Sequence, residues 1–348
     1  MSLIGDQTLA RARGGGQSAA ASGLSIVVPL FNEAASLTRL HERLAEVARK
    51  LATERALACE VLYVDDGSAD DTLAIARALP ADALDIQVVS LSRNFGKEAA
   101  LLAGLDHARR GAVLFMDGDG QHPPALIETL VAYWLDDGYD VTYTAKANRA
   151  GESAVRRAAV RMFYALLNSD SRVRIPENAG DFRLLSPRAA NALRQLPERN
   201  RFFKGLATWI GFRQKRIEYE PEQRAEGKST WGLRSLIGLS LDGLTGFSVA
   251  PLRVATVLGL ILAAVALIYG GEILWETLVH GASVPGYPSL FVGVMVLGAV
   301  QLVMLGVVGE YIGKILYEIK ARPVYFVAEH DLKLREEATR PGARTAAE

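Results

Sequence analysis

Residues Asp117, Asp119 and Gln121 stand in the stretch "VLFMDGDGQHPP", where a run of core-type residues stops at two aspartates held one residue apart. Two carboxylates at that spacing can both approach one divalent cation if the backbone between them bends, and Gly118 and Gly120 are expected to supply that freedom. Mg²⁺ or Mn²⁺ favours oxygen donors and commonly leaves positions for substrate phosphates, so Asp117, Asp119 and the Gln121 amide oxygen form a candidate half-shell. An ordinary turn explains an isolated Asp-x-Asp equally well. The neighbouring segments decide between the two.

Between Leu24 and Thr144 the chain alternates short β-rich runs with helical patterns. Strands are expected at 24–30, 59–64, 86–91, 112–116 and 139–144, with amphipathic stretches such as "AASLTRLHERLAEVARKLA" between them. That alternation predicts an α/β sandwich around a mostly parallel sheet. Ligands in such sheets bind beyond the carboxyl ends of the strands. Here those ends read "PLFNE", "DDGSADDT", "SRNFGKE" and "DGDGQHPP", so polar and acidic groups collect where a pocket is expected. No Gly-x-Gly-x-x-Gly follows the first strand and no Gly-Lys-Ser/Thr loop occurs, which argues against a dinucleotide site or a P-loop.

The 348 residues carry 39 Lys plus Arg against 39 Asp plus Glu, so no overall basic character points to nucleic acid. The single cysteine, Cys59, allows neither an intramolecular disulfide nor a thiolate metal cluster and reads as a small core residue. Val254 to Gly271 gives 18 uncharged, mostly apolar residues, and Gly281 to Gly309 gives 29 residues without a charge. Both can span a bilayer as helices. The segment from Glu272 to Pro288, taken as their connection, has no Lys or Arg, whereas Arg234 and Arg253 precede and Lys314, Lys320 and Arg322 follow. By the positive-inside rule both ends face the cytoplasm, giving a multi-pass inner-membrane protein with a cytoplasmic catalytic domain.

The expected organisation is a disordered tail at 1–23, a catalytic domain at 24–228 and an interfacial helical region at 229–251. Two membrane helices at about 252–275 and 286–312, within 252–314, and a cytoplasmic C-terminal segment at 315–348 follow. Trp231, Leu233, Leu236, Ile237 and Leu239 suit a helix lying in the interface; a packed core helix would show the same pattern.

The segments "SIVVPLFNEAASL", "VDDGSADDT", "LSRNFGKEAALLAGLDHA", "DGDGQHPP" and "GDFRLLSPRAANALRQLPERNRFFKGLATWIGF" occur in the order and spacing of membrane-anchored family 2 glycosyltransferases. From about Leu24 to Val327 the chain resembles the polyprenyl-phosphate hexosyltransferases, a group that includes bactoprenol glucosyltransferases and dolichyl-phosphate mannose synthases. The combination of "RNFGKEAAL", "GDFRL" and "VPGYPSL" is most similar to the bactoprenol enzymes. The resemblance implies a GT-A fold and inverting transfer of glucose from UDP-glucose to undecaprenyl phosphate. Another sugar, such as mannose, a modified arabinose or an amino sugar, is the alternative donor; a catalytically silent membrane scaffold is the rival of a different class.

Matched residue by residue, Pro29, Phe31, Glu33, Asp66 and Asp117 fall at nucleotide-binding positions. The Asp66 carboxylate can accept from a base N–H or a ribose hydroxyl, or else cap a helix starting near Asp70. Asp181 and Asp119 take catalytic positions, with Asp181 acting as base, as a positioning group, or simply as a loop aspartate paired with Arg183. Lys146, Arg149, Arg224 and Lys228 fall where the acceptor phosphate is held, with solvated surface charge as the plainer reading of each. The family commonly has an arginine where this chain has Pro221, and Gly118, Gly120 and His122 stand where relatives often have Ala, Leu and Asp. Two helices alone cannot enclose a wide lipid path, which points to a homo-oligomer; the resemblance allows a tetramer without fixing the number.

Overall fold

The computed structural model describes residues 23–146, 179–199, 201–219, 250–281 and 286–335. Among these, one sheet has the order β7-β5-β6-β4-β1-β2-β3-β8. Its strands are β1 (Gly23–Leu30), β2 (Ala58–Asp65), β3 (Asp85–Leu91), β4 (Ala112–Phe115), β5 (Val141–Lys146), β6 (Ala179–Leu185), β7 (Gln214–Tyr219) and β8 (Val327–Lys333). Helices α1 (Ala34–Arg55), α2 (Thr72–Ala78), α3 (Lys97–His107), α4 (Leu126–Leu135), α5 (Pro187–Arg194) and α6 (Phe203–Trp209) cover it.

The strand periodicity of two divides the core between the two faces of the sheet. Leu24, Ile26, Val28 and Leu30 of β1 pack with Leu37, Leu40 and Leu44 of α1 and with Ile127, Leu130 and Val131 of α4. Val27, on the other face, packs with Leu62, Val64, Phe115 and residues of α3. Both faces being covered explains why β1 to β4 read as continuous apolar runs rather than as alternation. Cys59 is buried, and burial pushes its thiol up to about 12, as suits a core residue.

The four central strands are parallel, as expected. The sheet as a whole is mixed, because β6 enters antiparallel between β4 and β5, and β8 pairs antiparallel with β3. β6, β7 and β8 were not expected as strands. β6 corrects the reading of Asp181 as a loop residue: "AGDFRLL" is extended, with Phe182 and Leu184 in the core on one side and Leu185 on the other. The antiparallel register pairs Phe115 with Arg183. Two residues beyond Phe115 stands Asp117, and two before Arg183 stands Asp181, so this pairing alone brings the two aspartates to one end of the sheet.

Two long helices follow, α7 (Ala250–His280) and α8 (Tyr287–Ile319). Leu252–His280 and Gly293–Ile319 are long and apolar enough to cross a membrane, with mean hydropathy 2.3 and 1.9 and no burial within the protein. Such exposed apolar surface is covered by lipid or by other apolar surface, never left to water. The helix α7 runs past 275 through Glu272 and Glu276, so these belong to the helix and not to a connection. "EILWETLVH" contains no Gly or Pro to break it, and it stops at Gly281, whose φ of 80° takes the left-handed cap conformation. α8 likewise runs beyond 312 to Ile319.

The end of α8 is tied back to the sheet domain. The Arg199 backbone N–H donates to both Glu318 carboxylate oxygens at 2.9 and 3.1 Å, and its guanidinium donates to the Arg322 carbonyl. β8 then completes the sheet edge, where Arg77 pairs with Glu329 and Asp331. Of the expected tail at 1–23 and interfacial region at 229–251, residues 1–22 and 229–249 lie outside the described residues, as do 336–348, whereas Gly23 opens β1 and Ala250 opens α7.

α3 lies against β1 at Gly104, where an added β-carbon would sit 2.1 Å from Val27 Cγ1. Gly104→Ala should lower stability by about 1–3 kcal/mol through overpacking. Thermal melting of the purified protein reads this, and an unchanged melting temperature would refute so close an approach.

Candidate active site

The carboxyl ends of β1, β2 and β4 converge with the start of β6. At the end of β1, Phe31 is exposed, and the next residue, Asn32, takes a positive φ of 56°. The Asn32 backbone N–H donates to Ser68 Oγ while its side-chain oxygen accepts from the Ala69 N–H, locking this turn to the loop after β2. Pro29 lies in β1 itself, pairing with Val64. The Glu33 N–H donates to Thr72 Oγ1, and its carboxylate accepts from Ser36 Oγ, which also donates to the Gly118 carbonyl. The expected nucleotide positions on β1 are thus linked through Ser36 to the aspartate turn.

Asp66 does not cap α2, which begins at Thr72. Its two carboxylate oxygens accept from the Phe95 and Gly96 backbone N–H groups at 2.7 and 2.9 Å, so it holds the loop that leads into α3. Burial raises its pKa above the usual value, and these two N–H donors oppose the rise.

The aspartate turn differs from expectation at one glycine. Gly120 has φ 72°, a conformation that favours glycine, but Gly118 does not take a positive φ. What Gly118 provides is space: a β-carbon there would lie 2.8 Å from Leu30 Cδ2 and 3.2 Å from the Pro29 carbonyl oxygen. Asp119 Oδ1 accepts from the Gln121 backbone N–H at 3.1 Å. His122 is buried, with Nε2 3.4 Å from Asp117 Oδ2 and Nδ1 2.9 Å from the Tyr219 hydroxyl. Burial first, and then Asp117, Asp119 and Asp181, push the Tyr219 phenol up to about 12.

At the centre stands Lys97, the first residue of α3. Its ammonium lies 2.6 Å from Asp117 Oδ1 and 2.6 Å from Asp181 Oδ2. Lys204 of α6 reaches the other oxygen of Asp181 at 3.4 Å. Burial alone would raise the Asp181 pKa, but the charges of Lys97 and Lys204 outweigh it and hold the group far below the carboxylate range. By the same balance Lys97 is held above the lysine range, because Asp181 and Asp117 outweigh its desolvation. Asp181 is therefore held as a carboxylate by its two lysine partners, which makes it a weaker proton acceptor than an ordinary aspartate. Its ion-pair partners are these two lysines rather than Arg183, which is fully buried, donates to the Gly180 carbonyl and leaves its Nε without a partner among the described residues.

Lys97 and Lys204 were not singled out from the sequence, although both stand in motifs quoted above, "SRNFGKE" and "RFFKG". A lysine opening a helix just beyond a parallel strand was the available signal. Of the four expected acceptor-phosphate cations, Arg149, Arg224 and Lys228 lie outside the described residues, and Lys146 ends β5.

Among the described residues no cluster of three or more His, Cys, Asp and Glu side chains could hold a metal ion. A divalent cation that shares its shell with a diphosphate requires fewer: one or two carboxylates and the substrate's oxygens suffice. Asp117 and Asp119, hard oxygen donors at a strand end, fit that requirement.

Comparison with known proteins identifies the family. Residues 25–194 match the model of glycosyl transferase family 2, and residues 250–315 match that of the GtrB C-terminal hairpin. A glycosyltransferase of Synechocystis sp. is 43% identical over 306 residues, covering 88% of this chain and 95% of the relative. The putative glycosyltransferase CsbB of Bacillus subtilis is 40% identical over 309 residues, covering 89% and 92%. The SfII prophage-derived bactoprenol glucosyl transferase of Shigella flexneri is 40% identical over 304 residues, covering 87% and 97%.

Glu98, next to Lys97, has its carboxyl pushed up from 4.5 to about 7 by burial and then by Asp181, against the Phe203 N–H that it accepts. The folded protein therefore keeps a proton on Glu98 through a window in which the unfolded chain has lost it. Stability from this group falls as pH rises from 4.5 to about 7 and levels off above. The melting temperature of Glu98→Gln relative to the parent should climb through that window and then stay level. A pH-independent difference would contradict the burial assigned to Glu98.

Proposed function

Since the chain belongs to glycosyl transferase family 2, we propose that it transfers glucose from UDP-glucose to a polyprenyl phosphate, undecaprenyl phosphate, with inversion at the anomeric carbon. The observation that carries this reading is the state of Asp181, held ionised between two lysines where the reaction centre should lie. A hydroxyl acceptor needs a base to take its proton. A phosphate monoester, whose second pKa is about 6, arrives as an ionised nucleophile and needs none. Identity of about 40% to bactoprenol glucosyl transferases, over most of both chains, supports glucose and the lipid acceptor.

In this mechanism Phe31, exposed at the end of β1, faces the nucleoside together with Pro29, Glu33 and Asp66, while Asp66 also keeps the 95–96 backbone in place. Asp117, Asp119 and the Gln121 amide oxygen would hold Mg²⁺ or Mn²⁺, which when bound stabilises negative charge on the departing diphosphate. Lys97 keeps Asp117 and Asp181 at a fixed separation, so the donor side and the attacking side of the sugar are aligned by one ammonium group. Asp181 orients the reactants rather than removing a proton. Lys146, with Arg149, Arg224 and Lys228, is assigned to the acceptor phosphate by position in the family motifs.

The two apolar helices associate the protein with a membrane. The lysines and arginines flanking them favour a multi-pass inner-membrane arrangement with the catalytic domain and both ends on the cytoplasmic side. A homo-oligomer would complete the apolar cover of α7 and α8.

Transfer is tested by incubating the detergent-purified protein with Mg²⁺, undecaprenyl phosphate and separate nucleotide sugars. Product from UDP-glucose is expected; product only from another donor would reassign the sugar, and none from any donor would favour the silent scaffold. Asp119→Asn should lower turnover by at least about 10²-fold with an unchanged melting temperature. The rate should rise with pH around about 6, following ionisation of the acceptor, and Glu98→Gln should keep that rise. Its loss in Glu98→Gln would make Glu98 a general base and sink the base-free reading.

A further inference from the structure

Lys204 is the one basic partner of Asp181 that the catalytic reading leaves without a task. Among the described residues Asp181 is its only ion-pair partner, and the 3.4 Å contact is longer than the 2.6 Å contacts that Lys97 makes with two carboxylates. The Lys204 side chain is 27% exposed, beside 35% for Lys97 and 17% for Asp181, so solvent reaches this cluster from outside. Lys97 is committed to both aspartates; Lys204 can exchange partners.

The attachment of α6 bears on which substrate Lys204 meets. The loop leading into α6 is fastened to the end of α8 through Arg199, whose backbone N–H and guanidinium meet Glu318 and Arg322. The next helix residue boundary is fixed from the catalytic side, where Glu98 accepts the Phe203 N–H at 2.9 Å. The segment that carries Lys204 is thus tied to the end of a membrane-type helix at Arg199 and to the reaction centre at Phe203 and Lys204. The residues assigned to the donor, Phe31, Glu33 and the Asp117–Asp119 turn, follow β1 and β4 and meet Asp181 through Lys97. A substrate whose apolar tail stays in the membrane and whose phosphate must reach Asp181 passes the Lys204 side first.

Charge agrees with position. Lys97, Lys204 and buried Arg183 surround Asp181, and burial lowers the Arg183 pKa while Asp181 and Glu98 oppose that loss. With Lys97 still neutralising Asp181, a phosphate dianion can take Lys204 from it without leaving a buried carboxylate unpaired, which would be the costly outcome. We propose that Lys204 is a further cation that binds the phosphate of the lipid acceptor, beside those assigned above, and that Asp181 presets its position. The inference rests on the acceptor being a polyprenyl phosphate.

The test uses the full-length protein in detergent with Lys204→Gln and Lys204→Arg. Losing a charge-assisted contact should raise KM for undecaprenyl phosphate about 10-fold in Lys204→Gln, with KM for UDP-glucose changed less than about twofold. Lys204→Arg should recover most of the loss, and UDP affinity with Mn²⁺, measured by calorimetry, should match the parent. An equal rise in the donor KM or a fall in UDP affinity would place Lys204 on the donor diphosphate and overturn the inference, as would two unchanged KM values. If Lys204→Gln melts early, the Lys204→Arg comparison decides: a donor-side defect there is equally fatal. If the parent binds UDP but transfers nothing to undecaprenyl phosphate, the functional reading has failed on its own. Farnesyl phosphate binding by calorimetry then separates the two, since affinity that is absent or equal in parent and Lys204→Gln overturns the inference too.

Discussion

The site depends on one ammonium group held between two carboxylates. Lys97 meets Asp117 and Asp181 at the same distance, and the two aspartates come from strands that run in opposite directions. Without a cation between them, two desolvated carboxylates at one sheet end would repel, and at least one would take up a proton. With Lys97 present both stay ionised, so the residue proposed for cation binding and the one proposed to orient the reactants share a single charge between them. An aspartate so paired is a poor base.

Several parts of the fold exist in the form they do because of that meeting. The parallel unit β1 to β4 collects loop ends at one edge, as parallel sheets with crossover helices do. A strand that supplies a second carboxylate there from its first residues, rather than its last, must run the other way. An antiparallel β6 beside β4 does so, because its first residues lie where the last residues of β4 end. α3 then points its first residue into the same place, with Asp66 holding the two N–H groups just before it. Gly118 allows the aspartate turn to lie against Pro29 and Leu30, so the turn is fixed by packing as much as by backbone freedom.

The membrane-type helices are joined to this centre by polar contacts rather than by a shared core. Glu318 and Arg322 at the end of α8 hold Arg199, and β8 returns to pair with β3. Fastening at two places limits how the catalytic domain can turn relative to α8.

Much of this was legible in the residues alone. Apolar runs of strand length, helical periodicity between them and the polar strand ends determined the central sheet and the edge where a site must lie. Asp117, Asp119 and Asp181 were recognisable as chemistry-bearing positions, and uncharged stretches of 18 and 29 residues announced the two long helices. Local pattern did not disclose β6, β7 and β8, whose short segments carry functional or charged residues that mask a strand signal. The partner it offered for Asp181 was Arg183, two residues away on the same strand, whereas Lys97 and Lys204, which do pair with it, are distant in sequence and near only in space. Residue type and periodicity act over a few positions, and so they decide elements and candidate groups. Which charge faces which depends on strand direction and register, and those are settled only when the sheet is assembled.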